Sequence, residues 1–397
     1  MSNFIHYVRL LLVAGMLASV PARAATLLES TSILVVTDAA AGQATLLNSA
    51  TCEIDQTFKL PYPLHDKISR LAGQRYAYLS SPQGWIIKLD LQSRTIVQQL
   101  RIGQITSAVA MSHDGRYLMV ANALPTTLLA IDTDNFSILR TLDVKDKNGK
   151  ASEVDSIYNA PTRQSFIAVM RDIPELWEMS YDPHAEPIYE GYVHDYKMGE
   201  GIALQGRFPA RRTILEQPLA HFIFDTTFTH AIGADKHGLM QVINLNIRRK
   251  IREIHFASAV QPDAGAIWQW QNRSVLVLPQ TDEKILHVID LQNWQVIRQI
   301  IVETKHPRLV EHAHSLHVWL ENSATDDISS AKKQIQILNK KSLNIVPYLA
   351  PSLASGSAPL AWTEDGHLVL LRSSADSKEM LIVDTETLET VRHCHLP

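Results

Sequence analysis

The sequence predicts an all-β fold, an eight-bladed β-propeller with four-stranded blades. One unit recurs: a strand-like run, a turn, a second apolar run that ends in Asp or Asn, and a polar turn before a third β-type run. The residue that closes the middle run recurs eight times with a mean spacing of 48 residues, and propeller blades typically repeat every ~40–50 residues. The eight closing residues are Asn48, Asp90, Asp132, Ser180, Asn244, Asp290, Asn339 and Asp384. Because the fourth copy is the weakest, a seven-bladed ring is the alternative.

Residues 1–24 have the features of a cleaved signal peptide. Arg9 precedes a short apolar run, 10–20, and Ala22-Arg23-Ala24 fits a small-residue cleavage site. A membrane anchor is the alternative, but the apolar run is shorter than the ~20 residues that a spanning helix needs. We therefore expect cleavage before Ala25, export to the periplasm, no membrane span, and one propeller domain over residues 25–397.

An insertion interrupts the repeats between the fourth and fifth closing residues, which are 64 residues apart. Residues 191–212 of this segment contain several glycines and Pro209 and show no strand alternation. We expect a long loop here, with any helix of the chain confined to residues 198–212. Loops of this kind often lie on the face of a repeat protein that binds ligands.

Composition and absent motifs exclude several classes of protein. The net charge of −4 offers no basic footprint for nucleic acid. The sequence contains no P-loop, zinc-protease or nucleophile-elbow motif. Cys52 and Cys394 are the only cysteines, and neither stands in a c-type haem motif. They lie in the first and last repeats, where a disulfide could close the ring, and two unpaired thiols are the alternative.

Histidines carry the most specific chemistry. His65 and His221 each stand where a repeat begins, and His312 is one of four histidines in residues 306–317. Imidazoles that converge near the axis of a propeller would suit a haem iron, although structural or solvated histidines are the alternative. Arginines such as Arg70 and Arg207 could pair with the carboxylates of a tetrapyrrole. Ordinary surface arginines are the alternative there.

One block of sequence is more specific than the repeats. Residues 171–183 read RDIPELWEMSYDP, residues 193–200 read VHDYKMGE, and Arg207-Phe208-Pro209 follows. This block, with most of the chain, resembles the haem d1 propeller family: the d1 domain of cytochrome cd1 nitrite reductase and the NirN- and NirF-like proteins of haem d1 biosynthesis. The resemblance implies an eight-bladed fold that binds haem d1 or a d1 precursor, without covalent c-type haem.

The resemblance also implies roles for single residues. His65, which precedes Ile68-Ser69-Arg70, resembles the proximal iron ligand of the family, and His312 resembles a distal histidine. Asp263 stands where the family carries its other distal histidine, and His221 stands where NirN-like members carry acidic residues. We therefore expect His65 to bind iron, and Arg70, Arg207, His221 and His312 to contact the ring. Asp172 and Asp263 are the candidate proton-transfer residues, with a turn-forming role as the alternative.

These features favour a role in cofactor handling. Because Asp263 replaces an imidazole and no c-type haem motif is present, we do not expect a stand-alone nitrite reductase. The expected function is binding of haem d1 or its precursor during cofactor maturation for denitrification, with an oxidoreductase-like step left open. The expected partners are the tetrapyrrole, and cytochrome cd1 or other d1 maturation proteins. A tetrapyrrole-free interaction scaffold is the first alternative, and a lactonase-like hydrolase with carboxylates around a metal is the second.

Overall fold

The computed structural model describes residues 33–39, 41–48, 51, 53–65, 68–71, 73–186, 188–190, 202–203, 207–280, 283–303, 307–321, 335–348, 358–363, 365–372 and 379–395. The expected signal peptide and Cys52 lie outside these residues. In the described part, regular structure is almost entirely β, and the helical elements are two 3-10 turns, Pro161–Arg163 and Pro262–Ala264. No helix among the described residues is long and apolar enough to cross a membrane.

Apart from one two-stranded hairpin in the insertion of blade 4, the described strands form eight antiparallel sheets in chain order, which confirms the predicted eight-bladed propeller. Blades 1 to 4 comprise β1 (Ile33–Asp38), β2 (Gln43–Asn48) and β3 (Ile54–Lys59); β4 (Tyr76–Ser81), β5 (Trp85–Asp90) and β6 (Thr95–Arg101); β7 (Ile105–Met111), β8 (Tyr117–Leu124), β9 (Thr127–Asp132) and β10 (Ser137–Asp143); and β11 (Val154–Ala160), β12 (Ser165–Met170), β13 (Glu175–Ser180) and β16 (Ala210–Ile214).

Blades 5 to 8 each contain four consecutive strands. They comprise β17 (Ala220–Phe224), β18 (His230–Ala234), β19 (Met240–Asn244) and β20 (Arg249–Ile254); β21 (Ala266–Trp270), β22 (Arg273–Pro279), β23 (Ile285–Asp290) and β24 (Gln295–Ile301); β25 (Arg308–Glu311), β26 (His317–Glu321), β27 (Ile335–Asn339) and β28 (Ile345–Tyr348); and β29 (Ala358–Trp362), β30 (Leu368–Arg372), β31 (Glu379–Asp384) and β32 (Thr390–His395).

Strands A to D of a complete blade follow chain order from the axis outward, and in blade 1 the described strands β1, β2 and β3 are strands B, C and D. In blade 2, Ser69 bridges Tyr78 of β4 and takes the place of strand A. Inner strands of neighbouring blades contact each other at the axis, as β7 and β11 do. Because consecutive strands are antiparallel, the A–B and C–D connections emerge on one face, called the AB face. The B–C and D–A connections emerge on the other, called the DA face.

The eight closing residues owe their spacing to one turn. Each is the last residue of strand C in its blade. In blade 3, Asp132 Oδ1 accepts hydrogen bonds of 2.9 Å from the backbone N–H of both Asp134 and Asn135. Phe136 then adopts a positive φ of 51° and strand D begins with a bulge. Asp and Asn accept such backbone bonds with short side chains, which explains their recurrence at this position.

Apolar clusters pack between neighbouring blades and close the ring. Trp177 and Trp319 are among the largest side chains that are fully buried. One cluster joins Val36 and Leu47 of blade 1 to blade 8, including Cys394. Cys394 is buried and disulfide-bonded. These contacts unite the first and last blades, as a closed propeller requires.

The insertion in blade 4 contains more strand than expected. Residues 210–214 form strand D, so the prediction of a strandless loop up to Arg212 was wrong. Arg212 lies over the ring of Trp177 at 4.4 Å and contacts Glu175 at 3.7 Å, so a polar sequence here pairs with buried strand C. The small hairpin of β14 (Tyr189–Glu190) and β15 (Ile202–Ala203) precedes it, and residues 191–201 and 204–206 lie outside the described residues.

Candidate ligand site at the axial channel

The most distinctive polar group of the DA face lies where blades 5 and 6 meet. His221 belongs to β17, the inner strand of blade 5, and the 3-10 turn Pro262–Ala264 packs against that strand. His221 has a positive φ of 56°, and the pairing register of β17 shifts between Ala220 and Ile223. A bulge of this kind redirects a side chain. Here it brings the imidazole against Asp263 of the neighbouring blade.

His221 and Asp263 form a half-exposed imidazole–carboxylate pair. Nδ1 of His221 lies 3.2 Å from Oδ1 and 3.3 Å from Oδ2 of Asp263. The hydrogen bond to Asp263 raises the pKa of His221, burial opposes that rise, and the charge of Asp155 adds to it. The pair can therefore bind a proton more tightly than a free imidazole does.

Charged residues of blade 4 lie on the same face. Arg171 pairs with Glu153 and lies 3.7 Å from Asp155. Asp172 accepts hydrogen bonds from the backbone N–H of Glu153 at 2.9 Å and from the Ser152 hydroxyl at 3.5 Å. Both bonds join the B–C turn to the chain segment that leads into strand A, so the carboxylate of Asp172 stabilises a turn.

The sequence analysis missed Arg308. It opens β25, the inner strand of blade 7, and lies opposite Glu321 in the strand register. Burial raises the pKa of Glu321 and the positive charge of Arg308 opposes that rise. Arg308 is exposed, and in the described part of the chain its guanidinium forms no ion pair or hydrogen bond. It could therefore pair with a carboxylate of a ligand.

A partly buried tyrosine lies close to these groups. The Tyr158 hydroxyl donates a 2.9 Å hydrogen bond to the carbonyl of Phe222, next to His221. Burial raises the pKa of Tyr158 to about 12, with smaller effects of Asp263 and Arg308. Tyr158 therefore stays a neutral hydrogen-bond donor near neutral pH and holds inner strands of blades 4 and 5 together.

His65 lies across the ring from this group. It follows strand D of blade 1 and leads into blade 2, and blades 2 and 6 are opposite each other in an eight-membered ring. Its backbone N–H donates to the carbonyl of Ser80 at 2.7 Å, and its Nδ1 lies 2.9 Å from the Ser80 hydroxyl. Arg70, five residues further along the same inner segment, lies toward the AB face and donates to the carbonyl of Ile33 at 2.7 Å. Ser80 thus fixes the orientation of the His65 ring.

The remaining predicted site residues lie toward the AB face. His312 directly follows strand A of blade 7 and stacks on Trp362, with ring centroids 6.2 Å apart. Burial lowers the pKa of His312, and His314 adds to that effect. Gly366 has a positive φ of 70°, and a Cβ atom there would lie 2.3 Å from Nδ1 of His312, so the imidazole depends on this glycine. Arg207 is exposed in the C–D segment of blade 4.

The structure thus brings two of the predicted residues into contact, His221 and Asp263, and places His65 opposite them. His312, Arg207 and Arg70 lie nearer the other face. Among the described residues, no group of three or more His, Cys, Asp or Glu side chains is arranged to hold a metal ion. The carboxylate cluster that a lactonase-like site requires is therefore not seen in the described part of the chain.

Comparison with protein families decides the family of this fold. The model of the cytochrome D1 heme domain matches residues 28–396. The chain belongs to the cytochrome D1 heme domain family. Dihydro-heme d1 dehydrogenase of Pseudomonas aeruginosa is 27% identical over 378 residues, which cover 95% of this chain and 71% of the relative. Protein NirF of the same organism is 30% identical over 106 residues, 26% of this chain and 27% of that protein.

A solved structure extends the likeness to three dimensions. Dihydro-heme d1 dehydrogenase NirN in complex with DHE superposes with a TM-score of 0.79 at 25% identity, covering 96% of this chain and 76% of that one. These matches confirm the resemblance to the cytochrome d1 family and the eight-bladed fold. The roles of individual residues toward a ligand remain predictions.

Proposed function

We propose that this protein binds haem d1 or a haem d1 precursor in its axial channel and takes part in maturation of that cofactor for denitrification. The observation that carries the proposal is the likeness, over 96% of the chain, to the structure of NirN in complex with DHE. The match takes in every blade rather than one of them. A tetrapyrrole ligand is therefore consistent with the whole fold rather than with one motif.

The residues around the channel fit such a ligand. His65 offers an imidazole whose Nδ1 is held by Ser80 at 2.9 Å, and a fixed imidazole of this type suits ligation of iron. A tetrapyrrole carries carboxylates, which guanidinium groups pair with well. Arg308 offers an exposed guanidinium at the start of an inner strand, and Arg70 lies next to the bridge at Ser69. In this proposal His65 binds the iron and these arginines hold the ring side chains.

We place the mature protein in the periplasm. The pattern of Arg9, a short apolar run and Ala22-Arg23-Ala24 supports export. The disulfide at Cys394 also supports an oxidising compartment, because structural disulfides persist there and are rare in the cytosol. Cytochrome cd1 or other d1 maturation proteins are the proposed protein partners, since a cofactor held here must be received and passed on.

Reconstitution tests this proposal. Haem d1 is titrated into the purified protein, and binding is followed by the visible spectrum. Wild type and His184→Ala should give the same spectrum and affinity, because His184 is exposed in a C–D turn of blade 4. His65→Ala should change the spectrum and weaken binding. Absence of binding by the wild type would refute the proposal and favour the tetrapyrrole-free scaffold.

A further inference from the structure

We infer that His221 and Asp263 form an acid–base dyad at the DA-face mouth of the axial channel, and that Nε2 of His221 exchanges a proton with the tetrapyrrole bound there. The identity of the ligand rests on the proposed function. The existence of the dyad rests on the geometry of the two side chains alone.

The backbone conformation at His221 sets the direction of its side chain. Among the described non-glycine residues, twelve have a positive φ, and His221 is the one that lies inside a strand. The others lie in turns or directly beside strands, where this conformation is common. A positive φ in a strand has a conformational cost and tends to occur at functional sites. The cost is met here by a bulge that places the ring against Asp263.

The two ring nitrogens of His221 have different surroundings. Nδ1 is held by both carboxylate oxygens of Asp263. Nε2 has no hydrogen-bond partner in the described part of the chain, and the side chain is 43% exposed. An imidazole that is oriented through Nδ1 and open at Nε2 has the arrangement of a general base or acid.

A second His–Asp pair in the same blade shows the contrast. Nδ1 of His230 lies 3.0 Å from Asp225, and its Nε2 lies 3.4 Å from the side-chain amide of Asn244. His230 is also only 23% exposed and packs edge-on against Trp294. Both of its nitrogens are therefore engaged inside the blade. Both histidines pair with a carboxylate, so His221 is distinguished from His230 by its open Nε2.

The charges that face His221 suit proton exchange. They are Asp263, on the turn packed against β17, and Asp155, on the inner strand of blade 4. Both favour the imidazolium form. When Nε2 takes a proton from the ligand, Nδ1–H stays bound to Asp263, and the carboxylate balances the new positive charge. When the proton returns to the ligand, the imidazole is neutral, the pair carries the single negative charge of Asp263, and the hydrogen bond between Nδ1–H and the carboxylate remains.

The dyad can be tested without a ligand. NMR titration of the histidine side chains should show His221 with a pKa above that of an ordinary histidine in the wild type. Asp263→Asn should lower that pKa, because the amide keeps a polar contact but removes the charge. The titration of His184 should be the same in both proteins. An unchanged pKa of His221 in Asp263→Asn would show that no dyad exists.

The exchange with the ligand is tested with bound haem d1. The visible spectrum of the wild-type complex should show a transition with pH that is lost in His221→Gln and displaced to lower pH in Asp263→Asn. His184→Gln should keep the wild-type transition. A transition that persists unchanged in His221→Gln overturns the exchange while the proposed function stands. Failure of the wild type to bind haem d1 overturns the proposed function and the exchange with it, and the ligand-free titration still decides whether the dyad exists.

Discussion

The Ser80 hydroxyl is the sharpest probe of the proposed iron ligand. Ser80 is 4% exposed, and its Oγ lies 2.9 Å from Nδ1 of His65. Ser80→Ala removes this contact and keeps the backbone bond from His65 N–H to the carbonyl of residue 80. The substitution therefore removes the contact that orients the imidazole, while the backbone of His65 stays hydrogen-bonded to β4.

The expected effect on ligand affinity is 10- to 100-fold. Groups that orient a ligating imidazole usually contribute this much to metal affinity, and each factor of ten corresponds to about 1.4 kcal/mol. The expected loss of folding stability is smaller, about 0.5–1.5 kcal/mol for one neutral hydrogen bond. Binding should thus suffer more than folding.

Ser81→Ala is the matched control. Ser81 is the next residue of the same strand, is fully buried, and accepts a 3.1 Å hydrogen bond from the backbone N–H of Gln83. Successive side chains of a strand point to opposite faces, so Ser81 cannot replace Ser80 at His65. We expect Ser81→Ala to reduce the unfolding midpoint in urea and to leave haem d1 affinity unchanged.

Haem d1 titration, read by the visible spectrum, measures both variants beside the wild type and His65→Ala. We expect wild type and Ser81→Ala to bind equally tightly, Ser80→Ala to bind more weakly, and His65→Ala to bind most weakly. Equal affinities of Ser80→Ala and wild type would refute the orienting role of Ser80. An unchanged spectrum of His65→Ala would refute the ligand assignment itself.

Three further outcomes follow from the structure. Hydrogen bonding to Arg75 lowers the pKa of buried Asp90. Asp90→Asn should therefore reduce the free energy of unfolding at pH 7, measured in urea, and the difference from wild type should shrink as the pH falls below ~4. Arg308→Gln should weaken haem d1 binding about 10-fold or more, the value of one charge-assisted hydrogen bond, whereas Arg298→Gln, on an outer strand, should bind as the wild type does. Peptide mapping without reductant should find Cys394 linked to the other cysteine of the chain. Reduction should lower the free energy of unfolding, measured in urea, by about 2–5 kcal/mol.

The fold was predictable because one local requirement repeats in every blade. The C–D turn needs a short side chain that accepts backbone hydrogen bonds, and this need leaves a recognisable residue about every 48 positions. Ser180 fills the same role with its hydroxyl, which accepts from the N–H of Asp182 at 3.1 Å. The weakest copy of the pattern therefore still marks a true blade, and the seven-bladed alternative is wrong.

Strand D of blade 4 was missed for a different reason. Its sequence, 210–214, begins with alanine and two arginines and lacks apolar alternation. Arg212 nevertheless packs its guanidinium over Trp177. A long arginine side chain can cover apolar surface in this way, so a polar sequence does not exclude a strand.

The candidate site could be predicted residue by residue but not as an arrangement. His221 and Asp263 stand 42 positions apart, and only the closure of blades 5 and 6 side by side brings them within 3.2 Å. Arg308 could not be singled out from the sequence. Its distinguishing feature is that its guanidinium has no partner among the described residues, and only the structure shows this. Local pattern gives the elements, whereas contacts between blades decide which polar side chains share a site.

The contact between His221 and Asp263 changes the meaning of the two departures from the family pattern. By the resemblance, relatives carry histidine where this chain has Asp263, and acidic residues where it has His221. Taken separately, the first change removes an imidazole from the site and argues for a scaffold that has lost its ligand. The structure shows that the two positions face each other at hydrogen-bond distance. An exchange of acid and imidazole between facing positions keeps one carboxylate, one imidazole and the same net charge at that place. If the resemblance holds at both positions, carboxylate and imidazole have exchanged places, and Asp263 alone is then no reason to prefer the tetrapyrrole-free scaffold.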